Sequence, residues 1–189
     1  MPGSITIALD VMSGDNGPTP AIAGAIKSLQ DINDLKIVLV GDENTINQGL
    51  TNSNQSLNSR ITIIHTNEFI RMDEDIVSAI RNKKKSSMRL SINQVKSKDA
   101  HACVSAGNTG ALMAMSMVKL KKINGINRPA IAVLWPSTNI NGFNILLDAG
   151  ADIKADAHDL CQYTAMGVSY AKSGFNIDCL LYTSDAADE

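Results

Sequence analysis

Short apolar runs alternate with amphipathic stretches along most of this chain. Residues 5–10 (ITIALD) form a β-branched run that ends on Asp10, and a turn-rich VMSGDNGP follows. In TPAIAGAIKSLQ the apolar positions Ile22, Ile26 and Leu29 fall at helical spacing, and Thr19 with Pro20 predicts an N-cap and first helical residue. KIVLVGD (36–42) predicts a second strand stopping at Gly41, and RITIIHT (60–66) a third. DEDIVSAIRN and SSMRLSINQVKSK read as helices, and the serines that open the second are placed to cap it. ACVS (102–105) is a fourth strand. PAIAVLW and FNILLDAG are two further strand-like runs, and a helix is expected from Asp156 to about Lys172. Nearly continuous apolar strands separated by helices predict a parallel sheet covered on both faces, an α/β fold.

The strand ends carry the candidate chemistry. In open α/β sheets ligands sit beyond the carboxyl ends of the strands. LDVMSGDNGP places Asp10 there and adds Gly14, Asp15 and Gly17 in the loop. The loop is either a substrate-contacting element or an ordinary strand-to-helix turn with a capping aspartate. SAGNTGALM puts Ser105 at a strand end, then Gly107, Asn108, Thr109 and Gly110 at the start of a run of helix formers. Free N–H groups and the positive end of a helix dipole make that an anion site, with a plain helix cap as the competing reading. LLDAGAD adds Asp148, Gly150 and Asp152 at a further strand end. The loops match neither the Walker pattern nor a clean GxGxxG.

Composition narrows the partners. The chain has 189 residues, 44% of them hydrophobic, with 17 basic and 19 acidic residues and a formal net charge of -2. That balance gives no field for nucleic acid, and the cluster Arg81, Lys83, Lys84, Lys85 and Arg89 around Ser86 and Ser87 reads as a solvated face or a local anion site. No apolar run reaches the roughly 20 residues that span a bilayer, and the N-terminus has no signal-peptide pattern, so a cytoplasmic address is expected. Cys103, Cys161 and Cys179 have no paired spacing, and His65, His101 and His158 no ligand spacing, so neither a disulfide framework nor a metal site is expected. Cys103, inside an apolar strand, reads as an inert thiol, and Met113, Met115 and Met117 read as core filling.

Taken in order and at their separations, LDVMSGDNGP, AIRNKKKSSMR, ACVSAGNTGALM, the RPA of NRPAIAVLW and LLDAGAD resemble the PlsX family of phosphate acyltransferases. The resemblance runs from about residue 5 to 178. Ser13 stands where that family usually has a second glycine, and Asp152 where Asn is common. The resemblance implies a Rossmann-like α/β/α sandwich related to the isocitrate and isopropylmalate dehydrogenases, here truncated. It implies transfer of a long-chain acyl group from acyl carrier protein to inorganic phosphate for phospholipid synthesis, with no cofactor. It also implies a homodimer in contact with the inner face of the cell membrane.

Under that resemblance Asn108, Thr109 and Gly110, with Gly107 and Ser105 nearby, would hold phosphate. Asp10, Asp15 and Asp148 would orient the loops and position substrate, with Asp10, Asn108 and Asp148 the catalytic candidates; Gly14, Gly17 and Gly150 would allow close approach. Arg81, Ser87 and Arg128 would supply further donors. A coenzyme A-dependent phosphate acetyltransferase-like enzyme and a non-catalytic α/β interaction domain are the alternatives. Residues 1–178 are expected to be the N-terminal part of one α/β domain, inactive by itself. Residues 179–189 (CLLYTSDAADE) resemble a translated frame of a transposon-end sequencing adapter and are expected to be a non-native tail.

Overall fold

The computed structural model describes residues 4–51, 55–127, 129–150, 155–178 and 180–181. Arg128, Asp152 and nearly all of the adapter-like tail lie outside them. The elements in order are β1 (Ile5–Asp10), α1 (Pro18–Asp31), β2 (Leu35–Gly41), α2 (Glu43–Leu50), α3 (Gln55–Asn58), β3 (Ile61–His65), α4 (Ile76–Asn82), α5 (Ser87–Ser97), β4 (Ala102–Ser105), α6 (Thr109–Leu120), β5 (Val133–Pro136), β6 (Phe143–Leu146) and α7 (Ala157–Phe175). They divide into two units, Met1–Lys121 and Lys122–Glu189.

In the first unit four strands form a parallel sheet in the order β3-β2-β1-β4. β2 shows why its run is almost wholly apolar. Ile37 and Leu39 pack with Ile22, Ala25 and Leu29 of α1 and Ile46 of α2. Val38 and Val40 point the other way, toward Ala8, Ala100, Leu90 and Val95. With both faces of the strand covered, the alternation of polar and apolar residues disappears. A third cluster of Ile70, Ala79, Met88, Ile92, Ala111 and Met115 joins α4, α5 and α6. The predicted strands and the two-sided cover are therefore present, giving an α/β unit with a parallel sheet flanked by helices.

Three expectations are corrected. α1 starts two residues early: Gly17 is its N-cap at φ 67°, and Pro18 rather than Pro20 opens the helix. Ser86 is the N-cap of α5, but its side chain makes no capping bond. FNILLDAG does not extend the parallel sheet; β6 pairs antiparallel with β5, from Val133 opposite Leu146 to Pro136 opposite Phe143. Only six residues separate the two strands, and a parallel return would need a crossover of a dozen or more.

The second unit contains this hairpin and α7. Asp156 and Asp159 form a capping box at the start of that helix, and Phe175 near its end meets Phe143 of β6 edge-on with ring centroids 4.9 Å apart. Among the described residues no helix is long and apolar enough to cross a membrane.

Candidate functional site

The parallel register sets Asp10 directly beside Ser105 at the carboxyl ends of β1 and β4. Side chains at paired positions of neighbouring strands project to the same face, and these two meet. The Ser105 hydroxyl donates to the Asp10 carboxylate at 2.7 Å, and Ser105 Oγ accepts the Gly107 N–H at 3.1 Å. The Ser13 N–H also approaches Asp10 at 3.4 Å. Asp10 is almost fully buried, so these donors replace the water it has lost. The chain of contacts fixes the two glycine-bearing loops against each other.

The loops touch closely enough to explain two glycines. A Cβ on Gly14, which lies at φ +115°, would come within 3.2 Å of Ala106 Cβ and of its carbonyl oxygen. A Cβ on Gly107 would lie 2.6 Å from Ser13 Cβ and 2.8 Å from Met88 Cε. Met88 is in the first turn of α5, so the N-terminal end of that helix meets the same place. Ser13, Ser86 and Ser87 are buried, and none of their hydroxyls has a hydrogen-bond partner among the described residues. A buried hydroxyl without a partner is costly. Of the three, Ser13 stands at the loop junction, its Oγ 3.1 Å from where a Cβ on Gly107 would be.

At the start of α6, Asn108 is the N-cap. Its Oδ1 accepts the Ala111 N–H at 3.0 Å and its Nδ2 donates to the Met72 carbonyl at 2.9 Å. The side chain is thus committed to fixing the helix end, while the first-turn N–H groups of Thr109 and Gly110 precede any intrahelical acceptor. Thr109 is exposed, whereas a Cβ on Gly110 would meet Ile76 Cδ1 at 2.6 Å, so α4 packs over this glycine.

A groove of about 530 Å³ opens at the loop junction. Asp10, Ser13, Gly14, Asp15, Gly17 and Ser105 line its mouth; Ile7, Leu9, Ile37 and Val104 of the sheet and Ala21, Gly24, Ala25 and Ser28 of α1 line its body. Asp15 stands exposed at the mouth. Cys103, half-buried in β4, has its thiol pushed up to about 12 by burial and secondarily by Asp10, and a thiol held protonated at neutral pH is no nucleophile.

The structure therefore brings Asp10, Gly14, Asp15, Gly17, Ser105 and Gly107 together, with Asn108, Thr109 and Gly110 following on the same loop and Ser87 next to Met88. Arg81 is exposed in the last turn of α4. Asp148 and Gly150 belong to the second unit, where Asp148 Oδ1 accepts the Ile131 N–H at 2.7 Å. Sequence reasoning missed Ser13 and Ser86 as site residues. The signal available for Ser13 was a hydroxyl standing where the resembled family keeps a glycine.

An α/β unit whose parallel strands end in glycine loops beside a helix N-terminus and a groove has the layout of the class that binds ligands at the carboxyl edge of the sheet. Residues 5–179 match the family model described as "Fatty acid synthesis protein", and the chain belongs to that family, the PlsX family of the resemblance. It is 47% identical over 173 residues to a phosphate acyltransferase of Roseobacter denitrificans, covering 92% of this chain and 48% of that relative. The corresponding protein of Ruegeria pomeroyi is 43% identical over 175 residues, covering 93% of this chain and 47% of the relative. The chain spans about half the length of the curated relatives it matches.

Proposed function

We propose that the protein to which this chain corresponds transfers an acyl group from acyl carrier protein to inorganic phosphate, forming an acyl phosphate. The observation that supports the reading is the succession of uncharged donors along one loop: the unpartnered Ser13 hydroxyl beside Gly107 and the first-turn amides of α6 that follow. Phosphate is itself the nucleophile in such a transfer, so no covalent enzyme intermediate is needed. The protein must hold it against the thioester carbonyl and stabilise the oxyanion that forms. Neutral N–H and O–H donors do this without neutralising the attacking oxygen, and the buried Asp10 acts through Ser105 as a positioning residue for the loop.

An acidic carrier as donor is supported by a cationic strip on α5 and α6. Arg89, then partial desolvation and Lys96, lowers the Lys119 ammonium below its usual range. Residues 1–178 are read as the N-terminal part of an α/β/α domain of the dehydrogenase-like type, a homodimer in its full form, lying in the cytoplasm at the inner face of the membrane. The test is acyl phosphate formation from acyl carrier protein thioester and phosphate, trapped with hydroxylamine, by a chain extended to the length of the relatives. Thiol release that does not depend on phosphate would overturn the reading.

A further inference from the structure

Lys83 ends α4, and its side chain folds back over the segment that leads into that helix. Its ammonium donates to the Phe69 carbonyl at 2.7 Å and to Glu74 Oε2 at 2.5 Å, and lies 6.0 Å from the centre of the Phe69 ring. The same Glu74 oxygen accepts the Arg71 N–H at 3.2 Å, and the Glu74 N–H donates to the Arg71 carbonyl at 3.3 Å, so residues 71–74 form a turn closed on both sides. The Lys83–Glu74 pair is sheltered, its side chains 27% and 22% exposed, against 68% and 73% for Arg71 and Asp73 in the neighbouring ion pair. Exposed pairs do little to hold a chain in place, so Lys83 is the brace of this turn. The hydrogen bond from Lys83 holds the Glu74 carboxyl below its usual range. Met72, inside the turn, accepts Asn108 Nδ2 on its carbonyl at 2.9 Å. An amide side chain has one donor end and one acceptor end. With Nδ2 taken by Met72, Oδ1 faces the start of α6 and accepts the Ala111 N–H at 3.0 Å. Ala111 is the third residue of that helix, so the cap leaves the N–H groups of Thr109 and Gly110 for a ligand. Ile76, which packs over Gly110, is the first residue of α4 and rides on the same braced segment.

We propose that Lys83 is a positioning residue for the phosphate site: by bracing residues 69–83 it fixes the Met72 carbonyl, which sets the Asn108 amide and through it the first turn of α6. The inference rests on the acyl-transfer reading and extends its machinery to a residue that touches no substrate. In RNKKKSSMR, Lys83 reads as part of a solvated face or as a direct anion ligand. Its ammonium is instead committed to Phe69 and Glu74, while Lys84 and Lys85 are exposed. Without Lys83 the Glu74 carboxylate loses its counterion and the turn loses its tie to Phe69. The Met72 carbonyl is then free to shift, and the Asn108 amide to turn over and leave the Ala111 N–H uncapped. An anion on the Thr109 and Gly110 amides therefore depends on Lys83 through geometry, not contact.

Two measurements test the assignment. In a chain extended to the relatives' length, Lys83→Met keeps the reach of the side chain and removes its donors. It should raise the KM for phosphate about tenfold, the loss expected when one hydrogen bond to a charged group goes, and leave the KM for the acyl thioester within about twofold. A merely structural effect lowers the amount of working enzyme, and so kcat, without separating the two KM values. Lys83→Arg, whose guanidinium reaches both acceptors, should restore the phosphate KM to within about threefold, the two cations not being interchangeable. With Asn108→Ala already present, Lys83→Met should add no more than about twofold, because the link between them is gone. In the 189-residue chain, amide exchange followed by NMR should show the Ala111 N–H exchanging at least about tenfold faster in Lys83→Met. Should that variant fail to fold, Glu74→Gln, which keeps an oxygen for Lys83 and for the Arg71 amide but no charge, should shift both readouts the same way by a smaller amount. An unchanged phosphate KM, an equal rise in both KM values, or an Ala111 amide that exchanges as before would overturn the assignment of Lys83. Phosphate-independent turnover of the unaltered extended chain would overturn the acyl-transfer reading instead, and the exchange of Ala111 would still decide whether Lys83 holds the end of α6.

Discussion

Ser105 donates its hydroxyl to the carboxylate of Asp10 across 2.7 Å, although 95 residues separate them in the chain. The bond ties the end of β4 to the end of β1 and, through Ser105 Oγ, holds the Gly107 N–H. Removing one partner leaves a buried carboxyl group short of a donor, which costs about 1–3 kcal/mol. Ser105→Ala should lower unfolding free energy in urea by that amount with an unchanged m-value. A loss smaller than about 0.5 kcal/mol, the scatter of neutral surface changes, would mean the contact does not hold the strand ends together.

Gly107 and Ser13 should be energetically coupled. Gly107→Ala forces a Cβ to within 2.6 Å of Ser13 Cβ and 2.8 Å of the flexible end of Met88. Overpacking of this kind costs typically about 1–3 kcal/mol. Ser13→Gly removes the rigid half of the clash, so the double variant should recover part of the loss, with a coupling energy of at least about 0.5 kcal/mol in a double-mutant cycle. Strict additivity would show that the loops are less tightly packed against each other than the distances require.

The two described cysteines should differ in reactivity. With its pKa raised to about 12, Cys103 is thiolate at about one part in ten thousand at pH 8. Iodoacetamide treatment of the folded chain followed by peptide mapping should modify exposed Cys161 and spare Cys103. The sign also fixes a pH trend. The folded state holds the Cys103 proton more tightly than the unfolded one, so this contribution to stability is complete below the unfolded value near 9.0 and is lost as pH rises toward about 12. Equal modification of both cysteines at pH 8 would contradict the burial that raises the value.

The parallel sheet was legible because buried parallel strands are apolar on both faces, and three of the four runs end in an Asp, a Gly or a Ser, the third ending at His65. The start of α1 was not, since Pro18 and Pro20 both suit a first turn; the positive φ of Gly17 decides between them. α2 escaped notice because ENTINQGL buries just Ile46; its signal was Asp42, which accepts from the Thr45 N–H at 2.8 Å. The antiparallel hairpin was readable in principle from the short STNING connection between two strand-like runs. The Asp10–Ser105 contact was not, because it depends on strand order and register.

Gly110 separates two roles that one glycine can play. Its missing side chain makes room for Ile76 Cδ1, 2.6 Å from where a Cβ would stand, and its first-turn N–H also faces the site proposed for phosphate. In a chain extended to the relatives' length, Gly110→Val should abolish phosphate-dependent acyl phosphate formation. Adding Ile76→Ala gives the new side chain room and should restore the melting temperature, because the packing conflict between α4 and α6 is then gone. Turnover should nonetheless stay at least about a hundredfold down, a loss of the size seen when a transition-state hydrogen-bond donor is removed, since the valine still shields the amides from the anion. Recovery of turnover together with stability would show that Gly110 serves helix packing alone, and would take the SAGNTG amides out of the proposed mechanism.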